Sequence, residues 1–353
     1  MSVLKISVKK PTGYDIIIEN NQLANCGNII KSAVRGKNSV VVTDTNVEPL
    51  YLDIVTKSLE TAGFTVNSFT FIAGEESKNL RTVENMLGAF VAAGLTRSDF
   101  AVALGGGVCG DLVGFAAAIY QRGIDFVGIP TTLLAQIDSS IGGKTGCDLV
   151  YGKNLVGAFH SPKLLIIDPD CLNTLPPKIF SDGLAEAIKY GVIKSEKLFN
   201  RLLNEDAHDF INSLIYECVR IKREITENDF FENGDRMLLN FGHTIGHSIE
   251  KYYNFRDITH GEAVGIGMVI MAGAAENHNE CQKGTAEKIT ECLHKYNLPA
   301  TTAIDTKSLC DGAVNDKKRR GGDIKIIIPE KIGSCKIKQM PISSLFNYIE
   351  GNQ

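Results

Sequence analysis

No stretch of this 353-residue chain is apolar for long enough to cross a membrane. Its first ten residues, Met1 to Lys10, alternate Val, Ile and Leu with polar residues in the manner of a strand and contain no apolar signal core. The nine cysteines are odd in number, scattered, and never spaced Cys-x-x-Cys, which argues against a disulfide framework and against a structural zinc knuckle. A reducing, cytoplasmic setting is therefore expected. Positive charge is not in excess either. The formal net charge of −4 offers no footprint for nucleic acid or an anionic membrane. The only dense basic run, Lys317-Lys318-Arg319-Arg320, is a solvated turn or a site for a small anion. Internal repeats and low-complexity tails are also missing.

What remains is a soluble globular composition, 44% hydrophobic and 22% charged. The length is too great for one ordinary core, so two domains are expected, 1–170 and 171–353, with the boundary near Cys171 where Pro169, Pro176 and Pro177 interrupt the chain.

The first part alternates strand and helix patterns. Lys5–Val8 and Asp15–Glu19 read as a hairpin around Pro11-Thr12-Gly13. Ser39–Thr43 is a short, almost wholly apolar run, as a strand buried on both faces requires, and it ends in Asp44-Thr45-Asn46. A helical pattern from Val47 to Ala62 follows, then a strand at Phe64–Phe71 and a helix from about Asn79 to Ala93. Next, Phe100–Leu104 runs as a buried strand into Gly105-Gly106-Gly107-Val108-Cys109-Gly110-Asp111, and from Val108 to Tyr120 the pattern is helical.

A strand, a glycine cluster and a helix start make an anion cradle, because glycine lets the backbone approach closely and the helix N-terminus offers unpaired N–H groups. The spacing is not Gly-x-Gly-x-x-Gly, and three glycines can equally be a tight turn. Asp111 in the helix's first turn either complements the dipole or bonds a ribose or substrate hydroxyl. Asp44, at a strand's C-terminal end, stands where nucleotide hydroxyls meet an acid in open α/β sheets. Further on, Phe126–Ile129 and Leu164–Asp168 read as strands. Lys144 and Lys153 each follow glycines, as suits cations held near an anionic ligand. Gly142-Gly143-Lys144-Thr145 mimics the end of a P-loop, but its Gly-x-x-x-x-Gly-Lys spacing is missing, which makes ATP the poorer reading.

The second part is helical. Ser181-Asp182 read as cap residues for a helix carrying Glu186 and Lys189 one turn apart, either a plain ion pair or, with a Glu among Ala and Ile, a hard metal ligand. A long amphipathic helix, 207–227, contains Lys222. The stretch Leu238–Glu250 holds His243 and His247 four residues apart, hence on one face of a helix, and Phe241, Ile245 and Ile249 mark its packing face. Thirteen residues after His247 comes His260, opening another helix with Thr259 and Glu262. Three imidazoles on adjoining helices can ligate a divalent ion, or His243 and His247 can be an ordinary packed pair. No Glu follows His243, so the zinc-protease pattern is excluded. Beyond Glu280 a helix runs to Asn297, a short strand covers Ile324–Ile328, and a terminal helix begins near Ser343.

Taken in order, Leu104–Asp111, Tyr120–Gly123, Pro130–Thr145, Gly152–Phe159, Gly183–Gly191, Leu239–Glu250, His260–Gly267 and Asp316–Lys318 resemble the 3-dehydroquinate synthase family. The resemblance runs from the first strands to the basic turn near residue 320. It implies an α/β, Rossmann-like nucleotide-binding N-terminal domain followed by an all-α C-terminal domain. It also implies zinc or cobalt on Glu186, His243 and His260, with His247 near the substrate's protons.

Bound NAD is implied across Gly105, Gly106, Gly107, Val108, Cys109, Gly110 and Asp111, with Asp44, Asn46, Glu75, Lys78, Thr131, Thr132, Lys144, Lys153 and the turn Cys171, Leu172, Asn173, Thr174 around it. The substrate shell would be Asp138, Lys144, Asn154, Lys189, Lys222, Arg236, Asn240 and one of Lys317 or Lys318. Arg122 would reach the phosphate in a neighbouring subunit, which implies a homodimer. Phe230 departs from the family pattern, standing where an acid is common.

The implied reaction belongs to the shikimate pathway of aromatic amino acid biosynthesis. It takes 3-deoxy-arabino-heptulosonate 7-phosphate to 3-dehydroquinate and phosphate through transient oxidation, β-elimination, reduction, ring opening and aldol closure. A carboxylate and a phosphate on one hydroxylated ring need several Lys and Arg donors, and these are present. Three alternatives differ in the evidence that would favour them. A metal-dependent alcohol or glycerol dehydrogenase needs few cations. Related cyclases act on sugar phosphates lacking the carboxylate. A non-enzymatic metal or NAD sensor would bind without turnover.

Overall fold

The computed structural model describes residues 4–8, 13–317 and 322–351. The chain divides into two compact units, Met1–Leu175 with Lys222–Glu227, and Pro176–Ile221 with Asn228–Gln353.

In the first unit the strands are β1 (Leu4–Val8), β2 (Tyr14–Ile18), β3 (Asn38–Asp44), β4 (Thr65–Phe71), β5 (Phe100–Gly105), β6 (Asp125–Pro130), β7 (Lys144–Leu149), β8 (Gly152–Phe159) and β9 (Leu164–Ile167). Its helices are α1 (Cys26–Lys31), α2 (Asp53–Thr61), α3 (Leu80–Ala92) and α4 (Gly107–Ile119). Seven strands form one sheet in the order β1-β2-β9-β6-β5-β3-β4. Only β1 runs antiparallel within it. The residues of the sequence-expected first turn, 9–12, lie outside the described residues.

Side chains alternate between the two faces of this sheet. Val41, Val102 and Leu104 meet Cys26, Ile30, Val55 and Leu59 of α1 and α2. Val40, Val42, Ala101 and Ala103 meet Val83, Met86, Phe90, Leu112 and Val113 of α3 and α4. Helices on both faces explain why β3 and β5 read as unbroken apolar runs. The chain passes from β3 outward to β4 and then back across to β5, so the winding reverses between β3 and β5. In open α/β sheets ligands bind beyond the strand ends at such a point.

Two details differ from the sequence reading. The helix expected from Val47 is a wide turn at Glu48–Leu52, with Pro49 inside it, and regular helix begins only at Asp53. A proline there has no N–H to donate to the first turn. The glycine-rich stretch after Ser140 is a hairpin, β7 against β8. Gly146 and Gly157 face one another in it, and a Cβ on either would lie 2.1–2.4 Å from the opposing backbone carbonyl.

In the second unit the helices are α5 (Pro177–Lys194), α6 (Glu196–Asn204), α7 (Ile211–Asn228, of which Lys222–Glu227 belong to the first unit), α8 (His243–Tyr252), α9 (His260–Asn277), α10 (Thr285–Lys295), α11 (Thr306–Lys317) and α12 (Leu345–Glu350). A hairpin of β10 (Asp323–Lys331) and β11 (Ser334–Pro341) interrupts them. The sequence reading foresaw its first strand only. α9 is the central element, buried along Gly261, Ala263–Met268 and Met271–Ala272.

Small residues bring α8 against α9. A Cβ on Gly267 would meet the carbonyl of Gly242 at 2.1 Å, and one on Gly246 would meet Ala263 at 3.2 Å. Gly242 precedes α8 at φ +79°, a left-handed conformation that glycine adopts without steric cost. α8 starts at His243, so Phe241 packs from the turn before it rather than from the helix, although Phe241, Ile245 and Ile249 are all buried.

Candidate active site

The close approach of α8 and α9 sets their N-terminal histidines beside each other, with ring centroids of His243 and His260 5.2 Å apart. α5 supplies the third group. Glu186 is fully buried, and its Oε1 lies 3.4 Å from His243 Nε2 and 3.5 Å from His260 Nε2. One ligand atom from each of Glu186, His243 and His260 falls within 4.8 Å of the others. Two imidazole nitrogens and one carboxylate oxygen form a donor set that zinc or cobalt accepts, with coordination positions left for water or substrate. The residues present fit such an ion.

The far sides of both rings are also held. His243 Nδ1 lies 3.1 Å from the carbonyl of Phe241, and His260 Nδ1 lies 3.5 Å from Glu250 Oε1. Burial and the nearby positive charge of Lys189 keep His243 well below the usual histidine range, so its imidazole is neutral. Burial alone would pull His260 down as well. Its contacts with Glu186 and Glu250 outweigh that and raise it to about 10.

His247 follows His243 by one turn, with ring centroids 5.5 Å apart, but it is exposed and stands outside the three-residue cluster. Lys189 is buried in an ion pair with Glu186. Arg236 is buried and donates to the carbonyl of Phe230 at 2.5 Å. Asn240 donates to Glu232 at 2.7 Å.

Asp182 does not cap α5, which begins at Pro177, four residues before Ser181. Proline at the first helical position needs no donor and has its φ preset. Asp182 Oδ1 instead accepts the N–H of Gly261 at 2.6 Å, while Thr259 and Glu262 form a capping box.

In the first unit, the β5 end, Gly105-Gly106 and the start of α4 form a cradle. A Cβ on Gly105 would lie 2.7 Å from Cys109 Cβ and 3.4 Å from Asp44 Oδ2, and one on Gly106 would lie 3.1 Å from Thr132. Thr131 N–H donates to the carbonyl of Gly105 at 3.0 Å. Gly110 is different, because a Cβ there would meet nothing within 4 Å. Open space at the N-terminal turn of a thirteen-residue helix fits a dinucleotide's phosphates. Asp44 Oδ1 accepts from the N–H groups of Asn46 and Val47 at 2.9 and 3.2 Å. The Cys109 thiol turns inward to the carbonyl of Val42, leaving its backbone as the part a ligand can use.

A charged cluster adjoins this cradle. Lys78 Nζ lies 2.6 Å from Asp111 Oδ2 and donates to Asn154 Oδ1 at 2.8 Å, and Lys153 lies 3.5 Å from Glu75. Burial would lower Lys78, but Asp111 and Glu75 hold it above the ordinary lysine value. Asn154 adopts φ +54°, and its N–H donates to Asp148 at 2.7 Å. Asp138 pairs with Lys222, whose ammonium also donates to the Asp138 carbonyl at 2.6 Å.

Arg122 is exposed on a turn where Gln121, Arg122 and Gly123 all have positive φ. Lys144 is exposed at the start of β7 and lines a cavity with Gly105, Gly106, Gly110 and Asp111. The turn Cys171–Thr174 is tied to Tyr51, whose hydroxyl is 3.1 Å from the Cys171 carbonyl and 2.6 Å from Thr174 Oγ1. The Lys317 side chain and Lys318 lie outside the described residues.

Sequence reasoning passed over Asp148, Glu232 and Glu250, and gave Asp182 a cap role on the wrong helix. For Glu250 a signal existed: it stands seven residues after His243 and three after His247, on the same stripe of the helix.

A doubly wound nucleotide-type sheet joined in one chain to a helical unit bearing two histidines and a carboxylate defines the fold class of sugar-phosphate cyclases and iron-type alcohol dehydrogenases. A valiolone synthase from Streptomyces hygroscopicus, solved with NAD+ and Zn2+, superposes with a TM-score of 0.86 at 26% identity, covering 99% of this chain and 100% of its own. A butanol dehydrogenase from Thermotoga maritima shares the fold at a TM-score of 0.64 and 15% identity, over 95% of this chain and 96% of that one. Within that class, the family models for the 3-dehydroquinate synthase N-terminal and C-terminal regions match residues 68–182 and 183–319. The 3-dehydroquinate synthase of Clostridium kluyveri is 42% identical over 99% of this chain and 98% of its own length, and that of Clostridium botulinum 44% over 97% and 99%. The chain belongs to the 3-dehydroquinate synthase family, which are phosphate-eliminating carbon–oxygen lyases. Among the described residues no helix is long and apolar enough to cross a membrane.

Proposed function

We propose that this chain converts 3-deoxy-arabino-heptulosonate 7-phosphate to 3-dehydroquinate and inorganic phosphate, as a cytoplasmic homodimer using NAD and zinc or cobalt. The observation that carries the reading is the convergence of Glu186, His243 and His260 in a chain matched to 3-dehydroquinate synthases over almost its full length. The sequence-expected domains, 1–170 for NAD and 171–353 for metal and substrate, are kept in this reading.

When bound, NAD supplies a reversible hydride acceptor and the ion a Lewis acid for vicinal oxygens, so the net redox change is zero. Glu186, His243 and His260 hold the ion. The glycines 105–107 and 110, with Asp44, Asn46, Thr131, Thr132, Lys78, Lys153 and Glu75, hold the dinucleotide. Arg236 and Lys189 are almost wholly removed from water. A desolvated cation attracts a carboxylate or phosphate more strongly than an exposed one does, and both are charge-assisted donors. Lys222 is already fixed on Asp138, so little order need be imposed when substrate arrives. Asn154, Asn240 and Lys144 add donors for ring hydroxyls and phosphate, and Arg122 serves the phosphate of the other subunit. His247 is exposed one turn from a ligand histidine and takes the proton from the substrate hydroxyl. Phosphate leaves by β-elimination once the neighbouring C–H has been acidified.

Release of inorganic phosphate from the heptulosonate phosphate, with and without chelator and added NAD, tests the reading. Chelation is expected to stop release, and reduced cofactor is not expected to accumulate. Net reduced cofactor from a simple alcohol would replace this reading with the dehydrogenase. The valiolone synthase likeness supports a second reading, a cyclase for sugar phosphates without the carboxylate, and faster turnover of such a substrate would favour it.

A further inference from the structure

Glu250 stands where two physical effects oppose it. It is 4% exposed, and burying a carboxylate is costly unless a partner compensates. It also lies in the last turn of α8, His243–Tyr252, where the carbonyl end of the helix disfavours an anion. Neither helix stability nor apolar packing accounts for an acid at this position.

Its contact with α9 does account for it. The His260 ring lies between two carboxylates, with Nε2 3.5 Å from Glu186 Oε1 and Nδ1 3.5 Å from Glu250 Oε1. A neutral imidazole carries one proton and can place it on either nitrogen. An ion among Glu186, His243 and His260 needs Nε2 bare, so the proton must sit on Nδ1, the nitrogen that Glu250 faces. His243 is oriented by an uncharged group, the Phe241 carbonyl, 3.1 Å from its Nδ1. The two histidines therefore differ, one backed by a neutral dipole and the other by a full negative charge.

We infer that Glu250 is a positioning residue for the metal centre. Its carboxylate accepts the Nδ1–H of His260, fixes the tautomer and ring angle that offer Nε2 to a divalent ion, and makes that nitrogen the stronger donor of the two. With Glu186 it brings two carboxylates to the centre, against the single buried ammonium of Lys189. The inference rests on the proposed metal site. Carboxylates behind ligand histidines affect metal affinity by about 10–100-fold in other proteins.

The test uses the full chain stripped of metal and titrated with zinc or cobalt alone against a chromophoric chelator, for wild type, Glu250→Gln, Glu250→Ala and His243→Ala. Glu250→Gln keeps an acceptor oxygen but removes the charge and is expected to weaken binding about tenfold, while Glu250→Ala loses both and approaches a hundredfold. The visible absorption of the cobalt form should shift in Glu250→Gln, a change that lost packing alone would not produce. Unchanged affinity and an unchanged cobalt spectrum in both Glu250 variants would overturn the inference while leaving the metal site standing, provided that His243→Ala fails to bind. A wild type that binds neither ion would remove the metal reading and this inference together.

Discussion

Asp182 Oδ1 accepts the backbone N–H of Gly261 at 2.6 Å, a bond spanning 79 residues from the middle of α5 to the first turn of α9. Thr259 satisfies another free donor of that turn, so His260 is delivered from a helix end whose open N–H groups are taken up from two sides. The contact is tight, since a Cβ on Gly261 would lie 2.2 Å from the Asp182 carbonyl. His260 on α9 thereby takes its position from α5, the helix that carries Glu186.

Asp182→Ala is therefore expected to cost about 0.5–2 kcal/mol of stability, the range for a lost cap. Affinity for zinc should fall as well, although Asp182 touches no ion. Thermal unfolding of the metal-free protein and a zinc titration measure the two effects separately. Unchanged zinc affinity would mean that His260 holds its place without this bond.

His243 and His247 are four residues apart on one helix and have different expected roles. His243→Ala should abolish metal binding and with it phosphate release. His247→Ala should keep one ion per chain and slow release by about 10²–10⁴, the usual contribution of a general acid–base group. Metal analysis beside a phosphate assay checks both. Metal retained by the first variant would displace His243 from the ligand set, and metal lost from the second would add His247 to it.

The strands that end at the glycine cradle were legible because burial on both faces writes itself into sequence as unbroken runs, as in Val40–Thr43 and Phe100–Leu104. The β7–β8 hairpin was not. Gly146 and Gly157 weaken any strand signal, and their pairing depends on backbones meeting with no side chain between. Ser181 and Asp182 were read as caps because such residues usually serve their own helix, but the proline pair at 176–177 had already started it. Glu186, His243 and His260 could be named as candidates from residue type, spacing and family resemblance. The roles of Asp182 and Glu232 could not, because they act on partners that no local pattern specifies. The basic run at 317–320 lies largely outside the described residues.

A pH test of the first unit comes from Asp99. Its carboxylate accepts from the N–H groups of Lys37, Asn38 and Thr96 and from the Thr96 hydroxyl, tying the entry to β3 to the entry to β5. Burial would raise its pKa, but these donors outweigh burial and hold it below the ordinary aspartate value. A depressed folded pKa means that the stabilisation is fully present above the unfolded value, about 3.9, and is lost as pH falls through the folded one. Asp99→Asn should therefore melt lower than wild type at neutral pH, by a difference worth roughly 1.5–3 kcal/mol. That gap should close as the pH is lowered below about 4. Melting curves of both proteins from neutral pH downward measure it, and a gap independent of pH would mean that the aspartate's charge is not what stabilises the turn.

Gly110 separates the needs of the fold from those of a dinucleotide bound at this helix end. Glycine in a helix costs about 0.5–1 kcal/mol relative to alanine, so its presence in the N-terminal turn of α4 calls for a reason. Packing does not supply one, because an added Cβ would meet no atom within 4 Å, whereas at Gly105 it would collide with Cys109 at 2.7 Å. Gly110→Ala is therefore expected to leave the protein as stable as before or up to about 1 kcal/mol more so. Gly105→Ala should destabilise it by about 1–3 kcal/mol through overpacking. If the space above Gly110 receives the dinucleotide, Gly110→Ala should nonetheless weaken NAD binding by about tenfold, a loss of roughly 1.4 kcal/mol. Calorimetric titration with NAD beside melting curves gives both readings. A Gly110→Ala protein that is more stable and binds NAD as tightly as wild type would move the cofactor away from this helix end.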